Sequence, residues 1–438
     1  MVAVEVDAKK LYSKISWRLI PYLFLLYILA YLDRANVGFA AVEFKRDLHL
    51  TDTAYGLGAA LYFIGQLLFD LPSNLLLQKV GARIWIARIM ITWGVIAALM
   101  MFVTGAHSFY AMRLLLGISE AGFFPGVILY LSFWFPSQER AKAVAKFMTA
   151  TSIAGVVGAE LSRVLLQLEG HYGLHGWQWL FLLEGVPTVL LGVSVLFVLR
   201  DGPDDAPWLT DDEKKFLDEE LERDRKEGGA TDRHHLMDAF KMPMVWVLAL
   251  IFMLDQLGVY TVNFWMPTVL AGFLHTSVQA GAVQVGRLGA LPYLAAALCT
   301  VAIGWSSDRT GERRGHIALC LLVAAAGFGW AAYAHSLTTV LCAFGLAAVG
   351  YWSMMGPFWT LPTRVLGGPA AAGGVAIITM IGSLGGFAGP ALTGKLKDVT
   401  HNYTAGLLVI GGLAVVGAGL CLLLPSVKST ESEGKLSA

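Results

Sequence analysis

"NLLLQKVGAR" occupies residues 74–83 and "GWSSDRTGER" occupies residues 304–313. Laid on each other, they match Lys79 with Arg309, Gly81 with Gly311 and Arg83 with Arg313. A second correspondence follows in the same order, setting "SIAGVVG" (152–158) on "SLGGFAG" (383–389). Each copy of the first motif ends an apolar run long enough to cross a bilayer. The chain therefore reads as two parallel repeats, an arrangement that in membrane proteins builds a transporter around a midplane site.

Composition agrees with that reading. The 438 residues are 56% hydrophobic and 15% charged, with a mean hydropathy of +0.62, which excludes a soluble globular protein. Thirty-two basic and thirty-two acidic side chains cancel, so net charge suggests no nucleic-acid partner. With about 20 apolar residues per span, the sequence predicts twelve spans, the first over 17–41, the fifth over 142–168 and the twelfth over 404–424. The expected fold class is an all-α membrane protein of two pseudo-symmetric six-helix bundles, residues 1–199 and 243–438.

Residues 200–242 are the expected cytoplasmic linker. In its "WLTDDEKKFLDEELERDRKEGG" (208–229), Thr210 and Glu213 are spaced as a capping box, and Phe216, Leu217 and Leu221 make a modest apolar stripe. An amphipathic helix followed by a flexible tether is predicted. Lys9, Lys10, Lys14, Arg18, Lys79, Arg83, Arg140, Lys142, Lys146, Arg309, Arg313 and Arg314 all fall on one side of an even span count. Lys45, Arg46, Lys395 and Lys397 are exceptions. Both termini thus read as cytoplasmic, in an inner (plasma) membrane, and the first residues do not form a signal peptide. The four cysteines stand singly without metal or redox spacing, so no metal site is expected.

Ionisable residues at bilayer depth cost about 2.5 to 3.5 kcal/mol each on insertion scales and generally face a cavity or a partner. Asp33 and Arg34 in "YLDRAN" (31–36), with Arg113 and Glu120 in the fourth span, form such a set, and their formal charges sum to zero. On straight helices, Asp33 and Arg34 lie roughly 12 to 14 Å from the outer face, between Arg113 at roughly 8 Å and Glu120 at roughly 18 Å. Adjacent helical residues diverge by about 100°, so one of Asp33 and Arg34 faces neighbouring helices and the other faces the cavity.

Over its whole length the chain resembles the major facilitator superfamily and, within it, the anion:cation symporter family of organic-acid transporters. The residues that carry the resemblance are "YLDRANVGFA", "DLPSNLLLQKVGAR", "RLLLGISEAGFFPG", "WFPSQERAKA", "WLFLLEGVP", "GWSSDRTGERRGH", "PFWTLPTRVL" and "GSLGGFAGP", in that order. The resemblance implies proton-driven uptake of a carboxylate by alternating access. It assigns Arg34 to the substrate carboxylate and Asp33 and Glu120 to proton coupling, with Arg113 as a supporting ion pair. A guanidinium suits the first role because it can hold a carboxylate through two parallel hydrogen bonds. A carboxylic acid in an apolar cavity suits the second.

Further candidates for substrate contact are Tyr31, Gln66, Tyr260, Asn263, Trp265, Phe358, Trp359 and Thr360. In the eleventh span Thr379 and Ser383 stand where members of the family usually carry two asparagines, which implies a substrate larger or less hydroxylated than a sugar acid. Glu160 and Arg163, three apart in the fifth span, are expected to pair with each other. Gly81, Arg83, Asp308, Arg309 and Arg313 resemble the family's cytoplasmic gate motif, with Gln78 at the acidic position of the first copy. No cofactor is expected beyond the proton gradient. The expected partners are a small organic anion, protons and the lipid bilayer, with the chain a monomer.

An enzyme is disfavoured, because neither a Glu and His metal motif nor a serine elbow is present. A fixed ion-pair network in place of a titrating one, a facilitative anion uniporter or exchanger, a channel, and a transport-derived sensor stay open at this stage.

Overall fold

The computed structural model describes residues 6–148, 150–228, 241–274, 278–366 and 368–424. Its regular elements among these residues are helices, with no strand. Hydrocarbon offers no water to backbone N–H and C=O groups, so a spanning segment satisfies them internally by becoming helical. Eleven stretches among the described residues are long and apolar enough to cross a bilayer. The expected fifth span instead falls on two helices, α6 (Ser137–Met148) and α7 (Ala150–Leu166). Residue 149 between them lies outside the described residues.

The described helices gather into two compact units, one drawn from Met1–Phe44 and Leu61–Ala230, the other from Lys45–Ala60 and Thr231–Ala438. Most of α1 (Ala8–Asp47) belongs to the first unit; it has 40 residues, about 60 Å at 1.5 Å per residue. That is about twice the hydrocarbon thickness, so it extends well past the apolar layer. Asp7 Oδ1 accepts the backbone N–H groups of Lys9 and Lys10 at 3.1 and 3.2 Å and starts this helix. Helices α2 (Asp52–Val80), α3 (Ala82–Leu99), α4 (Ala106–Glu120), α5 (Phe123–Ser132) and α8 (Gly176–Val198) follow. Phe44, Phe109, Trp177 and Phe181 form an aromatic knot where α1, α4 and α8 meet, with ring centroids 4.9 to 6.1 Å from Phe44.

The linker's described residues pack on this same unit. Thr210 and Glu213 make the predicted capping box, Glu213 N–H donating to Thr210 Oγ1 at 3.3 Å and Thr210 N–H to Glu213 Oε2 at 2.9 Å. They start α9 (Asp211–Gly228). Lys14 Nζ donates to both oxygens of Glu213, at 3.0 and 2.7 Å. Trp208 stacks on Trp134 with centroids 5.5 Å apart, the Arg18 guanidinium lies 5.5 Å from the Trp208 ring, and Leu217 is fully buried. Residues 229–240 of the predicted tether lie outside the described residues.

The second unit is organised around α10 (Pro243–Gly272), α11 (Val278–Thr310), α12 (Arg314–Ala332), α13 (Leu337–Ser353), α14 (Met355–Leu366), α15 (Gly368–Thr400) and α16 (Thr404–Leu420). Helix α15 lies almost backbone to backbone on α10: a Cβ at Gly385 would overlap the Met253 carbonyl oxygen. Without the hydrophobic effect to drive helix association in lipid, such small-residue contacts supply the packing. Trp265 Nε1 donates to the Pro390 carbonyl at 3.2 Å and joins the same pair of helices.

Candidate functional site

The four charges singled out in the sequence come together inside the first unit. Arg34 on α1 is held by Glu120 on α4: Nε donates to Oε1 at 2.9 Å, and Nη2 donates to the same oxygen. The Arg34 side chain is 14% exposed and that of Glu120 is sealed. Glu120 Oε2 accepts no hydrogen bond from the described residues, so the acid keeps one oxygen in reserve. Arg113 is fully buried. Its guanidinium carbon lies 5.0 Å from the ring centroid of Tyr62 on α2, and that of Arg34 lies 5.7 Å from the same ring. The Tyr62 ring thus lies within cation–π distance of both guanidinium groups.

Asp33 is 4% exposed and faces Trp93 on α3, with the charges of Glu120, Arg113 and Arg34 acting on it. Its Oδ2 accepts no hydrogen bond from the described residues. Asp33 and Arg34 therefore diverge as helical geometry requires, Arg34 towards α4 and Asp33 towards α3. The set contains two guanidinium and two carboxyl groups, so each desolvated charge has a counter-charge close by.

Tyr31 is buried and Gln66 half-buried. Glu160 and Arg163 pair with each other, Nε donating to Oε2 at 2.9 Å. At the first gate motif, Gly81 precedes α3 and the Arg83 backbone N–H donates to Asp201 Oδ1 at 2.9 Å. Arg83 Nε also stands 3.9 Å from Asp201 Oδ2. The linker's Asp201 thus supplies a carboxylate to the copy that has Gln78 at its acidic position.

The second unit holds the other candidates. Asn263 is buried and accepts a 2.7 Å hydrogen bond from the Tyr293 hydroxyl. Tyr260 stacks on Phe264 at 6.2 Å. Phe252, Phe358 and Trp359 form a ring cluster, with Phe252 5.4 Å from Phe358 and 5.0 Å from Trp359. The hydroxyls at the three polar positions turn back to their own helices: Thr360 Oγ1 donates to the Pro357 carbonyl at 2.8 Å, Thr379 Oγ1 to Val375 and Ala376 at 3.0 Å, and Ser383 Oγ to Thr379 at 3.2 Å. At the second gate motif Arg313 bridges Asp308 Oδ1 at 2.5 Å and Ser307 Oγ at 2.8 Å, while Arg309 covers the Trp305 ring at 5.3 Å.

Three carboxylates inside the expected spans are not among the residues singled out above. Asp70 on α2 accepts the Gly122 N–H at 2.7 Å. Glu184 on α8 is buried, neither of its oxygens accepts a hydrogen bond from the described residues, and Asp33 is the charge that acts on it. Asp255 on α10 is buried and accepts from Gln256 Nε2 at 2.9 Å. The signal was present, since each is a carboxylate inside an apolar run: "LLFDLPSN", "LFLLEGVP" and "FMLDQLG". The rule that singled out Asp33 and Glu120 applies to them equally.

The model of the Major Facilitator Superfamily matches residues 23–390. The chain belongs to this superfamily. It is 45% identical to a putative tartrate transporter of Agrobacterium vitis, covering 97% of this chain and 93% of that protein. It is 40% identical to the putative metabolite transport protein NicT of Pseudomonas putida, covering 97% and 96%. A solved bacterial homologue of the human lysosomal transporter Spinster shares the fold at a TM-score of 0.77 and 18% identity, covering 95% of this chain and 97% of that one. This facilitator-superfamily chain is a multi-pass membrane transporter and not an enzyme.

Proposed function

We propose that the chain is a proton-coupled symporter that imports an organic anion by alternating access. The observation that carries the reading is the hold of Glu120 on Arg34 inside a neutral, buried cluster. A substrate carboxylate needs the same guanidinium edge that Glu120 occupies, so the two compete. Protonating Glu120 weakens that competition, and protonating either Glu120 or Asp33 leaves the cluster net positive, which favours an anion. Releasing the anion and then the proton restores neutrality. Each ligand thereby raises the affinity for the other, which is thermodynamic linkage.

The proposed substrate is a carboxylate: a sugar acid, a tartrate-like diacid or an aromatic acid. The tartrate transporter relative supports the diacid. Thr379 and Ser383, whose hydroxyls are engaged with their own helix, support a ligand that depends little on hydrogen bonds at that helix. The basic loop residues support an inner-membrane location with both termini cytoplasmic. The chain acts as a monomer with no bound cofactor, driven by the proton gradient.

The test begins with a thermal-shift screen of purified protein against the three acid classes, since a ligand bound to the folded state raises its melting temperature. The acid that stabilises is then assayed in proteoliposomes. Accumulation that follows an imposed pH gradient, together with counterflow without one, is the expected result. Counterflow with no response to the pH gradient would replace the symporter with a uniporter or exchanger.

A further inference from the structure

The helix that carries Glu120 ends on it. Helix α4 closes at Glu120, Ala121 turns to φ −53° and ψ 135°, Gly122 adopts φ +83°, and α5 starts at Phe123. The last residue of a helix is held by the chain that follows, so the direction of the Glu120 carboxylate depends on this break. Two residues of α2 grip it. Asp70 Oδ1 accepts the Gly122 N–H at 2.7 Å. A side chain at position 122 would overlap Ser73 Oγ, which itself accepts from Trp85 Nε1 at 3.0 Å. Position 122 thus needs glycine twice over, for its left-handed backbone and for the closeness of α2.

Around the grip, α2 is braced as well. Pro72 lacks an N–H and weakens the helix there, while Asn74 Nδ2 donates to the Asp70 carbonyl at 2.8 Å and bridges the same turn. A charged acceptor makes the Asp70 to Gly122 link one of the stronger hydrogen bonds available, and loss of the acceptor would leave a buried N–H unsatisfied.

We infer that Asp70 is a positioning residue for the coupling carboxyl: by holding the Gly122 N–H it fixes the α4–α5 break and with it the register of Glu120 against Arg34. This inference rests on the proposed proton-coupling role of Glu120. The charged and titratable groups around Glu120 are Asp33 and Arg34 on α1, Tyr62 and Asp70 on α2, and Arg113 on its own helix. Asp70 acts on this set through the backbone two residues beyond Glu120 and through its own charge, and the experiment separates the two.

The test is pH-titrated infrared difference spectroscopy of the full-length protein in lipid, which needs no substrate. The protonated-carboxyl band that disappears in Glu120→Gln reports Glu120. In Asp70→Ala the midpoint of that band moves by about one pH unit or more, tenfold in proton concentration. In Asp70→Asn, whose amide oxygen still accepts from Gly122, it moves by less than half as far. Both variants lose the same charge, so equal displacements would mean that Asp70 acts by charge alone and would overturn the positioning role. A midpoint unchanged in Asp70→Ala would overturn it as well, with the coupling role of Glu120 intact. No band lost in Glu120→Gln would remove the coupling role itself, and the inference would fall with it.

Discussion

Replacing Glu120 with glutamine tests how the cluster exchanges an internal carboxylate for an external one. The two N–H groups that Arg34 directs at Oε1 then meet a neutral amide oxygen. Hydrogen bonds to charged partners contribute about 1.5 to 3 kcal/mol and neutral ones about 1 kcal/mol. Arg34 is only 14% exposed, so water restores little of the difference. The guanidinium is therefore easier to release by roughly 1 to 2 kcal/mol, and a competing carboxylate binds roughly fivefold to thirtyfold tighter. Equilibrium binding of the acid selected by the thermal-shift screen, followed by calorimetry from pH 5 to 8, measures this. Expected are tighter binding in Glu120→Gln, a pH profile flatter than the parent's, intact counterflow and lost accumulation. A variant that binds with the parent's pH profile, or still accumulates substrate up its gradient, would refute the competition between Glu120 and substrate.

Arg34→Ala removes the anion's partner and weakens binding of the same acid by about 2 kcal/mol or more, roughly thirtyfold; binding within threefold of the parent would move the anion site elsewhere. Gly385→Ala drives a methyl into the Met253 carbonyl and destabilises by about 1 to 3 kcal/mol. Gly412→Ala, which points into open space, leaves the melting temperature unchanged, and equal effects at the two sites would contradict the packing of α10 on α15. At Glu213, burial works to raise the carboxyl while Lys14 and Thr210 outweigh it, so its folded value lies below the ordinary 4.5. A depressed folded value adds stability above the unfolded one that is lost as pH falls through the folded one. Glu213→Gln therefore lowers the melting temperature at pH 7, by the equivalent of less than about 1 kcal/mol for so exposed a pair, and the difference from the parent shrinks as the pH is lowered below 4.5. Asp201→Ala removes the acceptor at the start of α3 and costs about 1 kcal/mol, read by the same melting assay.

Much of the candidate site was legible because membrane burial is intolerant of charge. Asp33, Arg34, Arg113 and Glu120 could be named from an apolar background alone, and depth arithmetic brought them to neighbouring levels. Their pairing was less legible. Spacing does not say which carboxylate takes which guanidinium, and in the structure Glu120 takes Arg34 while Asp33 faces Trp93. Depth along a helix follows from counting residues, but direction around it depends on which helices are neighbours. Thr379 and Ser383 illustrate the same limit: as residue types they offer hydrogen bonds to a ligand, yet each hydroxyl reaches a carbonyl one turn back on its own helix.

The sequence by itself determined the class of molecule: apolar runs of spanning length, two motif copies in the same order, a capped linker helix, and a neutral set of intramembrane charges. These follow from composition and spacing, which the bilayer constrains one residue at a time. Only the tertiary structure decided that α4 stops at Glu120, that Asp70 and Ser73 on α2 hold the break, and that Asp201 of the linker reaches Arg83. Those relations join residues distant in the chain, and a hydrogen bond forms or fails within a few tenths of an ångström that no spacing rule encodes.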